Sequence, residues 1–117
     1  MNRALAVPTI DIRKRIPNSV IRSLARQIAD QFKPQKIILF GSYARGTQHP
    51  ESDIDLLVVL NDAQLATGKE IRTINDSLFN ISLQNNISIS AHPVSAKRFS
   101  SEVSFFMNRI RKEGKEI

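Results

Sequence analysis

The sequence contains two short and almost wholly apolar runs, KIILF at 36–40 and IDLLVVL at 54–60. Runs of this length, bounded by glycine or polar residues, are typical of strands buried on both faces, whereas a buried helix needs a longer run. Gly41 and Ser42 end the first run. We therefore expect two strands that lie side by side at the centre of a sheet.

Apolar residues at three- and four-residue spacing predict two amphipathic helices around these strands. The first follows the turn and capping residues Pro17, Asn18 and Ser19 and ends near Pro34. Its apolar positions are Ile21, Leu24, Ala25, Ile28, Ala29 and Phe32. The second lies between Thr67 and Leu83, and its apolar positions are Ile71, Ile74, Leu78 and Ile81.

The last third of the chain predicts one more strand and one more helix. Residues 86–92 alternate between apolar and polar, which is the period of a half-exposed strand, and this strand is expected to end before Pro93. A C-terminal helix is indicated by Val103, Phe106, Met107 and Ile110. Phe105 and Phe106 are most simply core residues, although one of them could belong to a partner surface.

These elements predict a small α/β (α+β) domain, with helices packed on a mixed three- to four-stranded sheet. The length of 117 residues suits a single domain over 1–117. Residues 1–16 are interpreted as a leader, either a short edge strand or an arm. Internal repeats and low-complexity stretches, which would change this interpretation, are absent from the sequence.

Composition restricts the classes of function. The sequence has no cysteine, so any metal site must use oxygen or imidazole ligands, and the absence is compatible with a reducing compartment. No run approaches the roughly 20 apolar residues that cross a bilayer, and the start does not resemble a secretory signal. We therefore expect a cytoplasmic protein without a membrane partner. The net charge of +6 favours an anionic partner without identifying it.

The segment from Gly41 to Asp55 carries the most specific chemical signal. A glycine at a strand end allows a tight turn and a close approach of backbone amides to a phosphate, and the Ser42 hydroxyl adds a donor. Asp53 and Asp55 are two residues apart, so on a strand their carboxylates face the same side. Such a pair suits Mg²⁺, which combines one or two carboxylates with phosphate oxygens. Either half alone is weak evidence, because each is common on protein surfaces.

Together, Gly-Ser, ten further residues and Asp-x-Asp resemble the signature of the DNA polymerase β-like nucleotidyltransferase superfamily. The fuller form, GSYARG followed by SDIDLLV, is similar to the minimal members of that superfamily, the MNT antitoxins that are paired with HEPN toxins. The motif covers 15 residues, and the order of helices and strands extends the resemblance over most of the chain.

The resemblance implies the roles of individual residues. Gly41 and Ser42 would bind the triphosphate of ATP or another nucleoside triphosphate, and Asp53 and Asp55 would hold Mg²⁺ as catalytic ligands. Arg45 would add a phosphate contact, and the alternative for it is a salt bridge or a solvated side chain on the motif helix. An acceptor hydroxyl would attack the α-phosphorus, and pyrophosphate would leave.

The sequence departs from the family pattern at a third carboxylate, which active members place on a later strand. Ser88 stands at about the position where Asp or Glu is expected. Glu51, Asp62 and Asp76 could replace it in space, but their spacing does not favour this. His49 and His92 are each candidates for a base or a ligand, and a lone histidine is more often a surface residue. Tyr43 is interpreted as a packing residue.

Two functions follow from the resemblance. The first is an enzyme that transfers AMP from ATP to a hydroxyl, namely a tyrosine of a HEPN toxin, and so acts as an antitoxin. The second is a catalytically degenerate antitoxin that neutralises its partner by binding, which the missing carboxylate favours. A free-standing polymerase would need a partner chain to complete its site. Nucleic-acid binding has only the basic charge in its favour, and an oligomer is compatible with the sequence.

Overall fold

The structure is a computed structural model that describes residues 18–49, 51–65 and 68–117. The leader interpretation of residues 1–16 lies outside the described residues. The elements in chain order are α1 (Asn18–Phe32), β1 (Lys36–Phe40), α2 (Ser42–Arg45), β2 (Ile54–Leu60), α3 (Gly68–Asn85), β3 (Ile89–Ser95), α4 (Ala96–Ser101), α5 (Phe105–Glu113) and β4 (Lys115–Glu116). A short 3-10 helix, Asp62–Leu65, joins β2 to the segment before α3.

The strands form a four-stranded mixed sheet in the order β3-β2-β1-β4. β2 pairs antiparallel with β1 and parallel with β3, and β4 pairs antiparallel with the other edge of β1. The prediction that 36–40 and 54–60 are adjacent central strands is confirmed, as is the small α/β fold. Their continuous apolar character follows from this position, because both faces of a central strand are covered.

Side chains alternate across the two central strands and build a core on each face of the sheet. On one face, Leu56 and Val58 pack with residues of α1 and α3, including Leu24 and Leu78. On the other face, Leu57 and Val59 pack with Met107 and Ile110 of α5 and with Val94 of β3. Five of these β2 and α5 side chains are essentially inaccessible to solvent: Leu56, Leu57, Val58, Val59 and Met107. The sheet is therefore the middle layer of three.

The C-terminal part differs from the sequence predictions in several ways. β3 continues through Pro93 to Ser95 instead of ending before the proline. The sheet tolerates Pro93 because β3 is an edge strand, where one missing backbone donor can face outward. Helix α4 and strand β4 were not predicted, because elements of six and two residues are too short to show a period.

The prediction that Phe105 belongs to the core is wrong. Phe105 begins α5 and is 82% exposed, and Val103 precedes the helix and is 86% exposed. Ser104 caps α5 by accepting a hydrogen bond from the Met107 backbone amide, and this cap fixes where the helix begins. From that start, Met107 and Ile110 face the sheet.

None of the helices in the described part of the chain is long and apolar enough to cross a membrane.

Candidate active site

The turn after β1 depends on two glycines. Gly41 has a φ of 75° and precedes α2, and Gly46 ends that helix in the left-handed region with a φ of 76°. Between them Ala44 is buried in the core, and Tyr43 packs against the same cluster, as predicted for it. This anchoring sets the position of Ser42 and Arg45 relative to the end of β1.

Gly41 lies directly against Asp55. A Cβ atom at position 41 would be only 2.2 Å from Oδ2 of Asp55, closer than any real contact. The pairing of the central strands explains this approach, because Phe40 is the register partner of Asp55. The two halves of the sequence motif, the Gly-Ser turn and the Asp-x-Asp pair, therefore meet in the fold.

Asp53 and Asp55 lie at the start of β2 in an environment that opposes the charge of Asp55. Burial raises the pKa of the half-buried Asp55 carboxyl above its ordinary value. Proximity to His92 opposes this rise, the negative charge of Asp53 adds to it, and Arg45 opposes it. Asp53 is more exposed, and its Oδ1 accepts a hydrogen bond of 2.5 Å from the Ser88 hydroxyl.

The neighbouring edge strand brings Ser88, Ser90 and His92 to this face. Ser88 contacts Asp53, as just described, and Ser90 is the register partner of Asp55. Since paired residues of neighbouring strands point to the same face, the side chains of Ser90 and His92 lie on the side of Asp55. The Ser90 hydroxyl and Nε2 of His92 are 3.1 Å apart.

No third carboxylate joins the two aspartates within the residues that the structure describes. No group of three or more His, Cys, Asp or Glu side chains in this part of the chain could hold a metal ion together. Asp62 follows the far end of β2 and accepts a long bond from the Lys97 amide. Asp76 is exposed on α3, and Glu51 is exposed in the motif loop, where its amide contacts His49.

Arg45 forms a salt bridge, which was one of the possibilities that the sequence left open for it. Its Nη1 lies 2.9 Å from Oε1 of Glu113 in α5, and Arg109 approaches the same oxygen at 3.5 Å. The sequence did not indicate Glu113, because 68 positions separate it from Arg45 and no local pattern reports such a contact.

Aromatic rings border the site on the side of α5. The rings of Phe40, His92 and Phe106 contact one another in tilted or edge-on arrangements, with centroids 5.7 to 6.1 Å apart. Next to them a small cleft of about 180 Å³ is lined by Phe40, Gly41, Arg45, Phe106, Arg109, Ile110 and Glu113. The sequence pattern predicted Phe106 most simply as a core residue and gave no indication that it borders the site.

A profile of the family described as "Nucleotidyltransferase domain" matches residues 21–112. That span includes the Gly41 turn, both aspartates and the strands β1 to β3. The chain belongs to the nucleotidyltransferase domain family.

Related proteins of known sequence carry more specific names. This nucleotidyltransferase domain is 31% identical over 100 residues to "Putative protein adenylyltransferase MJ0141" of Methanocaldococcus jannaschii. The aligned segment covers 84% of this chain and 95% of that protein. It is 44% identical over 43 residues to "Putative protein adenylyltransferase MJ1379" of the same organism, 37% of this chain and 43% of the other. It is 49% identical over 45 residues to "Protein adenylyltransferase MntA" of Shewanella oneidensis, 38% of this chain and 30% of MntA. The chain thus spans less than half of two of these relatives.

A solved structure confirms the fold of the nucleotidyltransferase domain. The structure described as a toxin-antitoxin with AMP-PNP superimposes with a TM-score of 0.57 at 23% identity, over 80% of this chain and 69% of the other. At this level of identity the similarity concerns the fold.

The residues beside Gly41 are chemically suited to a magnesium ion. Carboxylate oxygens are hard ligands, and Mg²⁺ in nucleotide sites usually takes one or two of them together with phosphate oxygens. Asp53 and Asp55 supply two, and the repulsion between them is part of what raises the pKa of Asp55. A divalent cation would remove that repulsion. The donor set is therefore suitable for a metal that arrives with a nucleotide.

Proposed function

We propose that this domain is a protein adenylyltransferase that uses Mg²⁺ and ATP to transfer AMP to a hydroxyl of a partner protein. The observation that carries the proposal is the contact between the Gly41 turn and Asp55. This contact supports the proposal because a turn that would bind phosphate and carboxylates that would hold a metal must be neighbours if they are to bind a metal-triphosphate together.

Each motif residue then has a distinct task. Gly41 leaves the backbone of the turn open to the triphosphate, and Ser42 adds a hydroxyl donor. Asp53 and Asp55 hold Mg²⁺, which when bound neutralises negative charge on the phosphate oxygens. Arg45 is held by Glu113 and contributes positive charge beside the turn. The acceptor hydroxyl attacks the α-phosphorus, and the bond to the leaving pyrophosphate breaks.

The names of the relatives support adenylyl transfer to a protein. They are called protein adenylyltransferases, and the structural neighbour is a toxin-antitoxin with AMP-PNP, an ATP analogue. We therefore propose that the partner is a HEPN-type toxin, that the acceptor is a tyrosine of it, and that the modification silences the toxin. The lack of cysteine is compatible with the cytoplasm as the site of action.

A second function is favoured by the strand beside the aspartates. Ser88 and Ser90 stand there without a third carboxylate in the described residues. An antitoxin with a degenerate site would bind the same partner and neutralise it by contact, with or without a bound nucleotide.

One experiment separates the two functions. The purified chain, alone and with any protein encoded by an adjacent gene, is incubated with Mg²⁺ and ATP labelled at the α-phosphate. Transfer of label to protein is measured for wild type and for an Asp53→Ala, Asp55→Ala double variant. Asp76→Ala is the matched control, because Asp76 is an exposed aspartate on α3. Adenylyl transfer predicts labelled partner with wild type and Asp76→Ala, and none with the double variant.

The alternative predicts a different result in the same samples. If wild type labels nothing but still forms a stable complex with the partner, the transferase proposal is wrong and contact inhibition remains. Mass spectrometry of the labelled partner identifies the acceptor side chain. Label on a residue other than tyrosine would contradict the acceptor proposal alone.

A further inference from the structure

Ser90 and His92 form a hydroxyl-imidazole pair on the edge strand beside the two aspartates. The Ser90 Oγ and His92 Nε2 atoms are within hydrogen-bonding distance at 3.1 Å. A nucleophile or proton-transfer group next to an imidazole at this distance is the basic arrangement of acid-base sites in proteins. Alternation along β3 alone places both side chains on one face, but only the fold places that face next to Asp55.

The register of the sheet fixes which end of this pair faces the aspartates. Ser90 is directly opposite Asp55, whereas His92 is opposite Leu57, two residues further along the strand. Ser90 therefore lies between the carboxylate pair and the imidazole. His92 is nevertheless close enough to Asp55 to influence the pKa of that carboxyl.

The ring of His92 contacts two aromatic rings but remains accessible to solvent. It contacts the ring of Phe40 on β1 and that of Phe106 on α5, which restricts its orientation. The residue is nevertheless exposed, so a proton can leave the imidazole to solvent after each reaction. His49, the other histidine, lies in the motif loop, where its Nδ1 accepts a hydrogen bond from the Glu51 amide.

We infer that Ser90 and His92 together accept the proton of the attacking hydroxyl, in the place where a third carboxylate would otherwise act. The inference rests on the proposed adenylyl transfer. As the acceptor oxygen bonds to the α-phosphorus and pyrophosphate leaves, the acceptor O–H bond breaks and its proton passes to Ser90 Oγ. The Ser90 proton passes at the same time to Nε2 of His92, which changes from neutral imidazole to imidazolium.

The pair explains how the domain can carry out transfer although none of the residues that the structure describes adds a third carboxylate beside Asp53 and Asp55. Ser88 cannot take this role in the same way, because its hydroxyl is hydrogen-bonded to Asp53, which is assigned to the metal. Ser90 has an imidazole as its partner instead.

The test is single-turnover transfer of AMP to the partner protein at one fixed pH, with the full chain. His92→Ala is expected to slow the transfer step by about 100-fold or more, the usual contribution of a positioned base. Ser90→Ala is expected to cause a smaller loss, because a water molecule can bridge the gap. His49→Ala is the matched control and is expected to transfer at the wild-type rate.

Rescue distinguishes proton transfer from a structural role. Imidazole added to the reaction is expected to restore a substantial part of the rate of His92→Ala, and to leave wild type and His49→Ala unchanged. Binding of a fluorescent ATP analogue with Mg²⁺ is expected to be the same in all variants. His92→Asn is measured as a second variant, and circular dichroism checks that both His92 variants are folded.

The outcomes separate this inference from the proposed function. If wild type transfers AMP and His92→Ala does so equally fast, or is slow but not rescued by imidazole, the inference is overturned and the transferase stands. If label appears on Ser90 itself, Ser90 is an acceptor and the relay is wrong. If wild type transfers nothing while binding its partner, the proposed function fails, and the relay fails with it.

Discussion

Gly41 occupies a position that other residues cannot fill without strain. Its φ of 75° lies in the left-handed region, which L side chains rarely adopt, and a Cβ there would collide with the Asp55 carboxylate. The strain from φ belongs to the backbone at position 41, whereas the collision comes from Asp55 on the neighbouring strand. Gly46 has nearly the same φ, but a Cβ there would meet nothing within 4 Å.

Gly41→Ala is expected to destabilise the fold by roughly 1–3 kcal/mol through backbone strain, and further through displacement of Asp55. Because Asp55 would move away from the turn, AMP transfer is expected to be lost. The measurements are urea unfolding and transfer of labelled AMP.

Gly46→Ala isolates the backbone contribution. It is expected to cost only about 1 kcal/mol, the strain of a left-handed alanine, and to retain transfer. Equal effects of the two substitutions on transfer would show that contact with Asp55 is not what makes Gly41 necessary.

Asp55 is expected to reduce the stability of the metal-free domain at neutral pH. Its pKa is raised in the folded state, so its ionisation is less favourable there than in the unfolded chain, and this cost is present above the folded pKa. In buffer with a chelator, Asp55→Asn should therefore unfold at a higher urea concentration than wild type. The gain in free energy of unfolding should be less than about 1 kcal/mol, because the carboxyl is partly solvated.

The stability gain of Asp55→Asn should depend on pH. As the pH falls through the folded pKa and below the ordinary value of 3.8, the carboxyl becomes protonated first in the folded and then in the unfolded state, and the advantage of Asp55→Asn should shrink and then disappear. Asp53→Asn is the control, because it weakens the hydrogen bond from Ser88 and is not expected to stabilise the domain. A wild type more stable than Asp55→Asn at pH 7 would contradict this account.

At the scale of elements, the end of α5 is fitted closely to the sheet. The Gly114 amide donates to the Ile110 carbonyl, and the chain then enters β4 beside β1. A Cβ on Gly114 would lie 2.5 Å from Cγ2 of Ile38 and 2.6 Å from the Ile110 oxygen. The φ of Gly114 is −68°, so the requirement for glycine is steric and not conformational.

Gly114→Ala is expected to destabilise the domain by about 1–3 kcal/mol, because a methyl group must be inserted between α5 and β1. Gly68→Ala, at the first residue of α3, meets no neighbour and should be neutral or stabilising by about 0.4–1 kcal/mol. Thermal unfolding measures both. A Gly114→Ala variant as stable as wild type would mean that the contact between α5 and β1 is looser than described.

At the scale of the whole molecule, β2 belongs to both cores. Its alternating side chains contribute to the cluster under α1 and α3 and to the cluster under α5. If β2 leaves the sheet, both clusters lose side chains at once. We therefore expect the two clusters to unfold together in a single cooperative transition.

Leu24→Ala and Met107→Ala are expected to lower the midpoint of the same transition, each by about 2–5 kcal/mol in free energy of unfolding. The two side chains are buried on opposite faces of the sheet. Fluorescence of Tyr43, the sole tyrosine, reports on the side of α1 and α3, and circular dichroism reports on all helices. Separate transitions by the two methods in Met107→Ala would show that the layers unfold independently.

Sequence patterns predicted those parts of the fold whose signals are local. The first helix, the two central strands and the second helix lie close to their predicted positions, because their apolar residues recur at the period of the element. The conjunction of Gly41 with Asp55 was also predictable, since a strand, a turn and a returning strand bring the two ends of the motif together. The short elements α4 and β4 and the passage of β3 through Pro93 left no such signal.

The sequence alone determined the family, the central strand pair and the candidate metal and phosphate residues, because each depends on spacing along one stretch of chain. Only the tertiary structure decided that Ser90 stands opposite Asp55, that the His92 ring contacts Phe40 and Phe106, and that Glu113 holds Arg45. These contacts join residues from different elements through the register of β2 and β3 and the docking of α5. Register and docking are set by packing of the whole core, which no local sequence pattern specifies.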